Sequence, residues 1–173
     1  MLKVINDFNT MEMMIFFWDS VSDREKVRDD YFVSIAEKPE MQVLYNAEFT
    51  KASVSKVLSA ISNRERLNDR TKLESRFWNN NMRVLEDDEM RKLLIAPVKV
   101  LNFEKLEKKH SESSRTLRCF FVPGHETEYY IEGDNIYINF FKLFNDFNNP
   151  EMIMMDGRPF QERVFEIIEK ALV

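Results

Sequence analysis

Tyr129-Tyr-Ile-Glu-Gly-Asp-Asn-Ile-Tyr-Ile138 sets β-favouring aromatic and branched residues on either side of a Gly-Asp pair. A two-residue loop at Gly133-Asp134 pairs Ile131 with Ile136 and Tyr130 with Tyr137, so the stretch predicts a β-hairpin. Upstream, Thr116–Val122 alternates as a strand and Val98–Phe103 suits another, joined by a charged connection or short helix over Glu104–Ser114. Downstream, Phe140, Phe144 and Phe147 fall on one helical face before Pro150. Asp156-Gly-Arg-Pro159 then sets proline in the first turn of a last helix, whose buried stripe is Phe160, Val164, Ile167, Ile168 and Ala171.

The N-terminal half reads as helical. Thr10 is placed to cap a short helix through Trp18, and Ser22-Asp-Arg-Glu25 is a capping-box pattern for a helix carrying Val27, Tyr31, Phe32 and Ile35, closed by Pro39. A short helical stretch over Glu40–Glu48 follows. Thr50 or Ser53 then starts a helix with Val54, Val57, Leu58 and Ile61 on one face and Ser55, Lys56, Ser59 and Ser62 on the other. Helical pattern continues over Arg64–Leu85, with Asn79-Asn80-Asn81 expected to break or fray it. A further helix over Asp87–Ile95 ends before Pro97. The expected class is therefore α+β: a helical N-terminal half packed with a small antiparallel sheet and a C-terminal helix. One compact domain over 1–173 is expected, with a helical lobe 1–96 and an α+β lobe 97–173 as its natural subdivision.

Composition fits a folded globular chain. Of 173 residues, 44% are hydrophobic and 32% charged, with only three Gly and five Pro, which argues against bulk disorder. The single cysteine, Cys119, excludes an internal disulfide framework and fits a reducing compartment, so a cytoplasmic location is expected. The N-terminus lacks the pattern of a secretory signal, and the longest apolar run, Met13–Trp18, is too short to span a bilayer. No membrane association is expected.

Catalytic and cofactor chemistry finds little material. His125-Glu126 opens like a zinc-peptidase motif, but position 129 is Tyr where a second His is needed, so His125 reads as an exposed loop residue and no metal site is assigned. Cys119 lies between Arg118 and Phe120 on a strand that turns the arginine to the opposite face, and reads as a buried structural thiol. Glycines at 124, 133 and 157 cannot form a phosphate loop. The acid runs Glu86–Glu89 and Asp29-Asp30 point in different directions around a helix and do not converge on a cation. No cofactor and no enzymatic activity are expected.

Charge segregation is the sharpest remaining signal. Residues 49–83 carry eight Lys or Arg against three acids, whereas residues 1–48 carry five against ten and residues 84–173 carry twelve against seventeen. Clustered bases attract phosphates or an acidic partner through their summed field. Val54-Ser-Lys-Val-Leu58 is similar to the recognition-helix segment of the LacI-type repressors, over about fifteen residues counted with its preceding turn. That resemblance implies a helix-turn-helix within 40–83, with Ser53, Ser55 and Lys56 near bases and Arg64, Arg66, Arg70 and Lys72 near phosphates. The chain departs from the family pattern in having no glycine in the turn and a shorter spacing between the two helices. Against both readings stands simple pairing of these arginines with Glu65, Asp69 and Glu74.

Two functions are expected from these features. The first is a non-enzymatic regulator that docks a macromolecule, foremost a protein. The second is a DNA-binding regulator. Candidate residues for an acidic or nucleic-acid partner are Lys51, Ser53, Ser55, Lys56, Arg64, Arg66, Arg70, Lys72, Arg76 and Arg83; for protein contact they are Phe16, Phe17, Trp18 and Phe141. The Asn-, Met- and Phe-rich composition, poor in Gly and Pro, also resembles that of small early proteins of lytic bacteriophages, which implies a modulator of host machinery.

Overall fold

The computed structural model describes residues 1–173. The fold is α+β. Strand β1 (Lys3–Asp7) is followed by helices α1 (Asn9–Ser22), α2 (Asp29–Ala36), α3 (Lys51–Asn63), α4 (Lys72–Leu85), α5 (Asp88–Lys99) and α6 (Glu104–Lys109). Then come β2 (Thr116–Val122), β3 (Tyr129–Glu132), β4 (Asn135–Asn139), β5 (Leu143–Asn145), β6 (Ile153–Met155), β7 (Arg158–Pro159) and α7 (Phe160–Ala171).

The β3–β4 hairpin forms with the expected pairs, Tyr130 opposite Tyr137 and Ile131 opposite Ile136. Gly133 turns it at φ 61°, a left-handed conformation that glycine adopts without the Cβ clash. The sheet around it is mixed rather than antiparallel, in the order β1-β2-β4-β3. β1 runs parallel to β2, with Lys3 opposite Thr116 and Asp7 opposite Phe120, and β2 runs parallel to β4. A parallel neighbour requires a crossover, and here all six N-terminal helices lie within the connection from β1 to β2. β5, β6 and β7 form a separate antiparallel sheet.

Several local expectations give way to tertiary contacts. Thr10 is not a cap: it is buried in the first turn of α1, and its hydroxyl donates to the buried carboxylate of Glu40. Ser22 closes α1 instead of opening a helix, and α2 starts at Asp29 and ends at Ala36 before Pro39, which opens a 3₁₀ turn, Pro39–Leu44. Residues 64–71 form a loop, not helix, and α4 begins at Lys72 with Thr71 as its cap. The asparagine run continues α4 without a break, and two of its three side chains, Asn80 and Asn81, are held by partners elsewhere in the fold. Asn81 accepts from Trp18 Nε1 at 2.9 Å, and Asn80 Nδ2 donates to the carbonyls of Gly124 and His125 at 3.2 and 3.0 Å.

Further along, α5 carries Pro97 inside it, and fully buried Val98 anchors the last turn, so no strand forms over 98–103. Phe140 and Phe141 are buried in a 3₁₀ turn capped by Asn139, while Phe144 and Phe147 are exposed, so these rings share no helical face. One cluster of 44 buried apolar residues extends from Leu2 to Ala171. Phe8 of the N-terminal segment meets Phe121 of β2 edge-on at 6.2 Å, and Trp18 of α1 meets Phe140 at 5.9 Å, so both halves of the chain contribute to the same core.

Candidate functional site

Helices α1 and α3 end in the same way. The amides of Arg24 and Glu25 donate back to Val21 and Ser20 at 3.1 and 2.8 Å, and those of Arg64 and Glu65 donate back to Ile61 and Ala60 at 3.2 and 2.8 Å. This is the Schellman pattern, whose left-handed position favours glycine. Arginine occupies it at both ends, with φ 59° at Arg24 and 56° at Arg64. A left-handed L-residue costs roughly 1–2 kcal/mol, so each helix gives up local stability for a side chain at this position. Both side chains border one groove of about 510 Å³, whose floor includes Val21, Ile61, Trp78 and Met82 and whose walls include Glu65 and Glu86. A smaller cavity beside it again has Arg24 and Arg64 in its wall, together with Glu25 and Lys26.

Trp78 also lines a second cavity, of about 450 Å³, formed by the loop 64–71 and the exposed side of α4. Arg66, Asn68, Arg70, Ser75 and Asn79 line it with the half-buried Trp78. The loop is held from both sides. Arg70 Nη1 donates to the Leu67 carbonyl at 2.7 Å, Lys56 Nζ donates to the Asp69 carbonyl at 2.8 Å, and the Leu67 side chain is buried in the core.

The arginines of this groove are unpaired. Arg28, Arg91, Arg115, Arg118, Arg158 and Arg163, all outside the basic segment, each form an ion pair. Arg24, Arg64, Arg66, Arg70 and Arg76 form none; the one ion pair within residues 49–83 joins Lys56 to Glu74. Glu65 and Asp69 pair with no cation, so pairing within the segment does not cancel its field.

Other candidate residues have structural duties. Thr50 caps α3 in a capping box with Ser53, and Thr71 caps α4 in one with Glu74. Glu74 joins the two boxes by accepting from Ser53 Oγ at 2.6 Å, Lys56 Nζ at 2.9 Å and the Thr71 amide at 3.0 Å. Burial opposes ionisation of Glu74, but these bonds and the Lys56 charge outweigh it and hold its pKa below the usual carboxylate value. Ser53 is thus buried and Lys56 committed, which overturns their placement at DNA bases. The helix that packs against α3 from upstream is α2, and residues 37–50 between them form a 3₁₀ turn and a loop rather than the short turn of a helix-turn-helix.

Arg83 donates to the carbonyls of Phe141 and Leu143 and lies 4.2 Å from the Phe144 ring centroid, clamping α4 to β5 instead of facing a partner. Burial lowers its pKa, and the carbonyls offset that cost. Lys51, Lys72 and Arg76 are exposed and Ser55 is half-buried, but none of them lines the groove. Among the aromatic candidates, Phe17, Trp18 and Phe141 are core residues and cannot contact a partner, while Phe16 is 54% exposed and packs against Tyr31 at 5.1 Å. Arg24 and Trp78 escaped sequence reasoning. Arg24 lies in an acidic flank, and Trp78 reads as one more apolar position of a helix.

His125 is buried, not an exposed loop residue. Its Nδ1 accepts from the Glu126 amide at 2.8 Å, which leaves Nε2–H to donate to the Leu44 carbonyl at 2.9 Å, and its ring meets Phe49 edge-on at 4.9 Å. Cys119 is fully buried, and burial raises its thiol pKa. No group of three or more His, Cys, Asp or Glu converges as a metal site, and no helix is long and apolar enough to cross a membrane. Comparison of the chain with protein-family models, with curated proteins and with solved structures finds no match.

Proposed function

We propose that the protein is a non-enzymatic regulator that docks an acidic segment of a partner protein along the groove bordered by Arg24, Arg64, Arg66 and Arg70. The observation that carries this reading is the contrast among arginines: Arg24, Arg64, Arg66 and Arg70 lack carboxylate partners, whereas Arg28, Arg91, Arg115, Arg118, Arg158 and Arg163 each have at least one. Unpaired guanidiniums beside an apolar floor with a tryptophan supply the charge complementarity and the anchor surface that protein interfaces use. A protein partner is favoured over duplex DNA because two of the three residues meant to read bases, Ser53 and Lys56, are tied into the α3–α4 caps, and because the chain's net charge of −5 repels a polyanion at long range. The buried free thiol of Cys119 suits the reducing cytosol in which such a regulator would act.

The test compares the wild-type chain with the Arg66→Glu/Arg70→Glu variant in affinity capture from lysate, with and without nuclease and at two salt concentrations. A nuclease-resistant partner held by the wild type and lost from the variant is the expected result. Equal retention by both proteins, or recovery of nucleic acid alone, overturns the proposal.

A further inference from the structure

The two halves of the groove differ in charge balance. On the side of Val21 and Met82, Arg24 and Arg64 face Glu65 and Glu86, so cations and anions are matched in number. On the other side of Trp78, Arg66 and Arg70 share a cavity with Asn68, Ser75 and Asn79, and no carboxylate lines it. Two guanidiniums, two carboxamides and a hydroxyl offer a surplus of donors with no anionic acceptor to compete for them. Arg70 spends one N–H on the Leu67 carbonyl, which fixes the plane of its fork and leaves its remaining donors free. A monoanionic carboxylate would leave one of the two cations uncompensated. A phosphoryl group, with a charge of about −1.5 to −2 at pH 7 and three acceptor oxygens, matches both.

The neighbouring surface supports the source of that group. The cavity shares Trp78 with the groove lined by Ile61 and Met82, a surface suited to the flanking side chains of a polypeptide rather than to a free ion. Building on the reading of the groove as a protein-docking site, we propose that the cavity of Arg66, Arg70, Asn68, Ser75 and Asn79 receives a phosphorylated side chain of the partner segment, whose apolar neighbours cross Trp78 onto the adjoining floor.

Nuclear magnetic resonance titration of the intact protein tests this, reading the Arg66 and Arg70 Nε–H and the Trp78 Nε1–H signals. The probes are a heptapeptide with a central phosphoserine flanked by leucines, the same peptide with glutamate at the centre, inorganic phosphate, and a single-stranded oligonucleotide. The phosphopeptide is expected to bind about tenfold or more tightly than the glutamate peptide, and Arg66→Gln/Arg70→Gln to abolish that preference while the remaining amide spectrum keeps its dispersion. Equal binding of the two peptides overturns the phosphoryl assignment and leaves the acidic docking site standing. Inorganic phosphate binding as tightly as the phosphopeptide replaces the peptide by a free anion. An oligonucleotide binding more tightly than either peptide overturns the protein-docking reading as well. If no probe moves the signals, the phosphoryl assignment falls, and the arginine dependence of lysate capture decides the docking reading separately.

Discussion

Gly124 is fixed by Asn139. A Cβ at position 124 would stand 2.6 Å from the Asn139 Cγ and Nδ2 atoms, and Asn139 cannot move aside. Its Oδ1 accepts from the amides of Gly124 and Phe141 at 3.1 and 3.0 Å, and its Nδ2 donates to the Thr127 carbonyl at 3.0 Å, all with the side chain fully buried. This one carboxamide holds the loop from β2 to β3 against the 3₁₀ turn after β4, and Asn80 of α4 secures the same loop through the carbonyls of residues 124 and 125. Gly124→Ala is expected to cost about 1–3 kcal/mol through overpacking. Urea unfolding of the variant measures it, and a loss below about 0.5 kcal/mol would show that Asn139 gives way.

Helix ends carry the next layer of specificity. Arg24→Gly and Arg64→Gly should each raise stability by about 0.5–1 kcal/mol, since glycine avoids the left-handed penalty and recovers more than its own entropy cost. The same substitutions should weaken partner binding. A gain in melting temperature with undiminished affinity would show that the two arginines have no part in docking. At the facing starts of α3 and α4, the depressed pKa of Glu74 makes the linked caps sensitive to acid. The carboxylate stabilises the fold above its unfolded value of about 4.3, and that contribution disappears as pH falls through the lower folded value. Glu74→Gln should therefore lower stability at pH 7 and flatten part of the acid limb of a stability–pH curve. An unchanged acid limb would mean that other carboxylates carry it.

At the scale of the whole molecule, β1 joins the N-terminal segment to the sheet of the C-terminal half. Residues 3–7 pair along β2 more than a hundred positions away in sequence, and Val4 is buried against the rest of the core. Its amide is capped by Glu107 at 2.9 Å, and Asn6 reaches the Val98 carbonyl at 3.1 Å. Residues 97–173 expressed alone lose this strand and the aromatic packing of Phe8 and Trp18, so they should show no dispersed amide spectrum. In the full chain, near-ultraviolet and far-ultraviolet dichroism should unfold in one coincident transition. Separate transitions would divide the chain into a helical lobe and an α+β lobe.

Elements under short-range control are legible in the order of the amino acids. The Gly133 turn and its cross-strand pairs, strand 116–122, the α3 apolar face behind Thr50 and the stripe of α7 all follow from periodicity and turn chemistry within a few residues. The other elements depend on partners that are distant in sequence. β1 is a strand because β2 is its neighbour, and the asparagines of α4 stay helical because Trp18 and residues 124–125 accept or supply their hydrogen bonds. Counting charges in a segment located the basic region. It could not show that Ser53, Lys56 and Arg83 are consumed by the fold, that Arg24 joins from an acidic flank, or that Trp78 stands between two cavities. Those facts depend on which side chains find partners, and partners are assigned by packing.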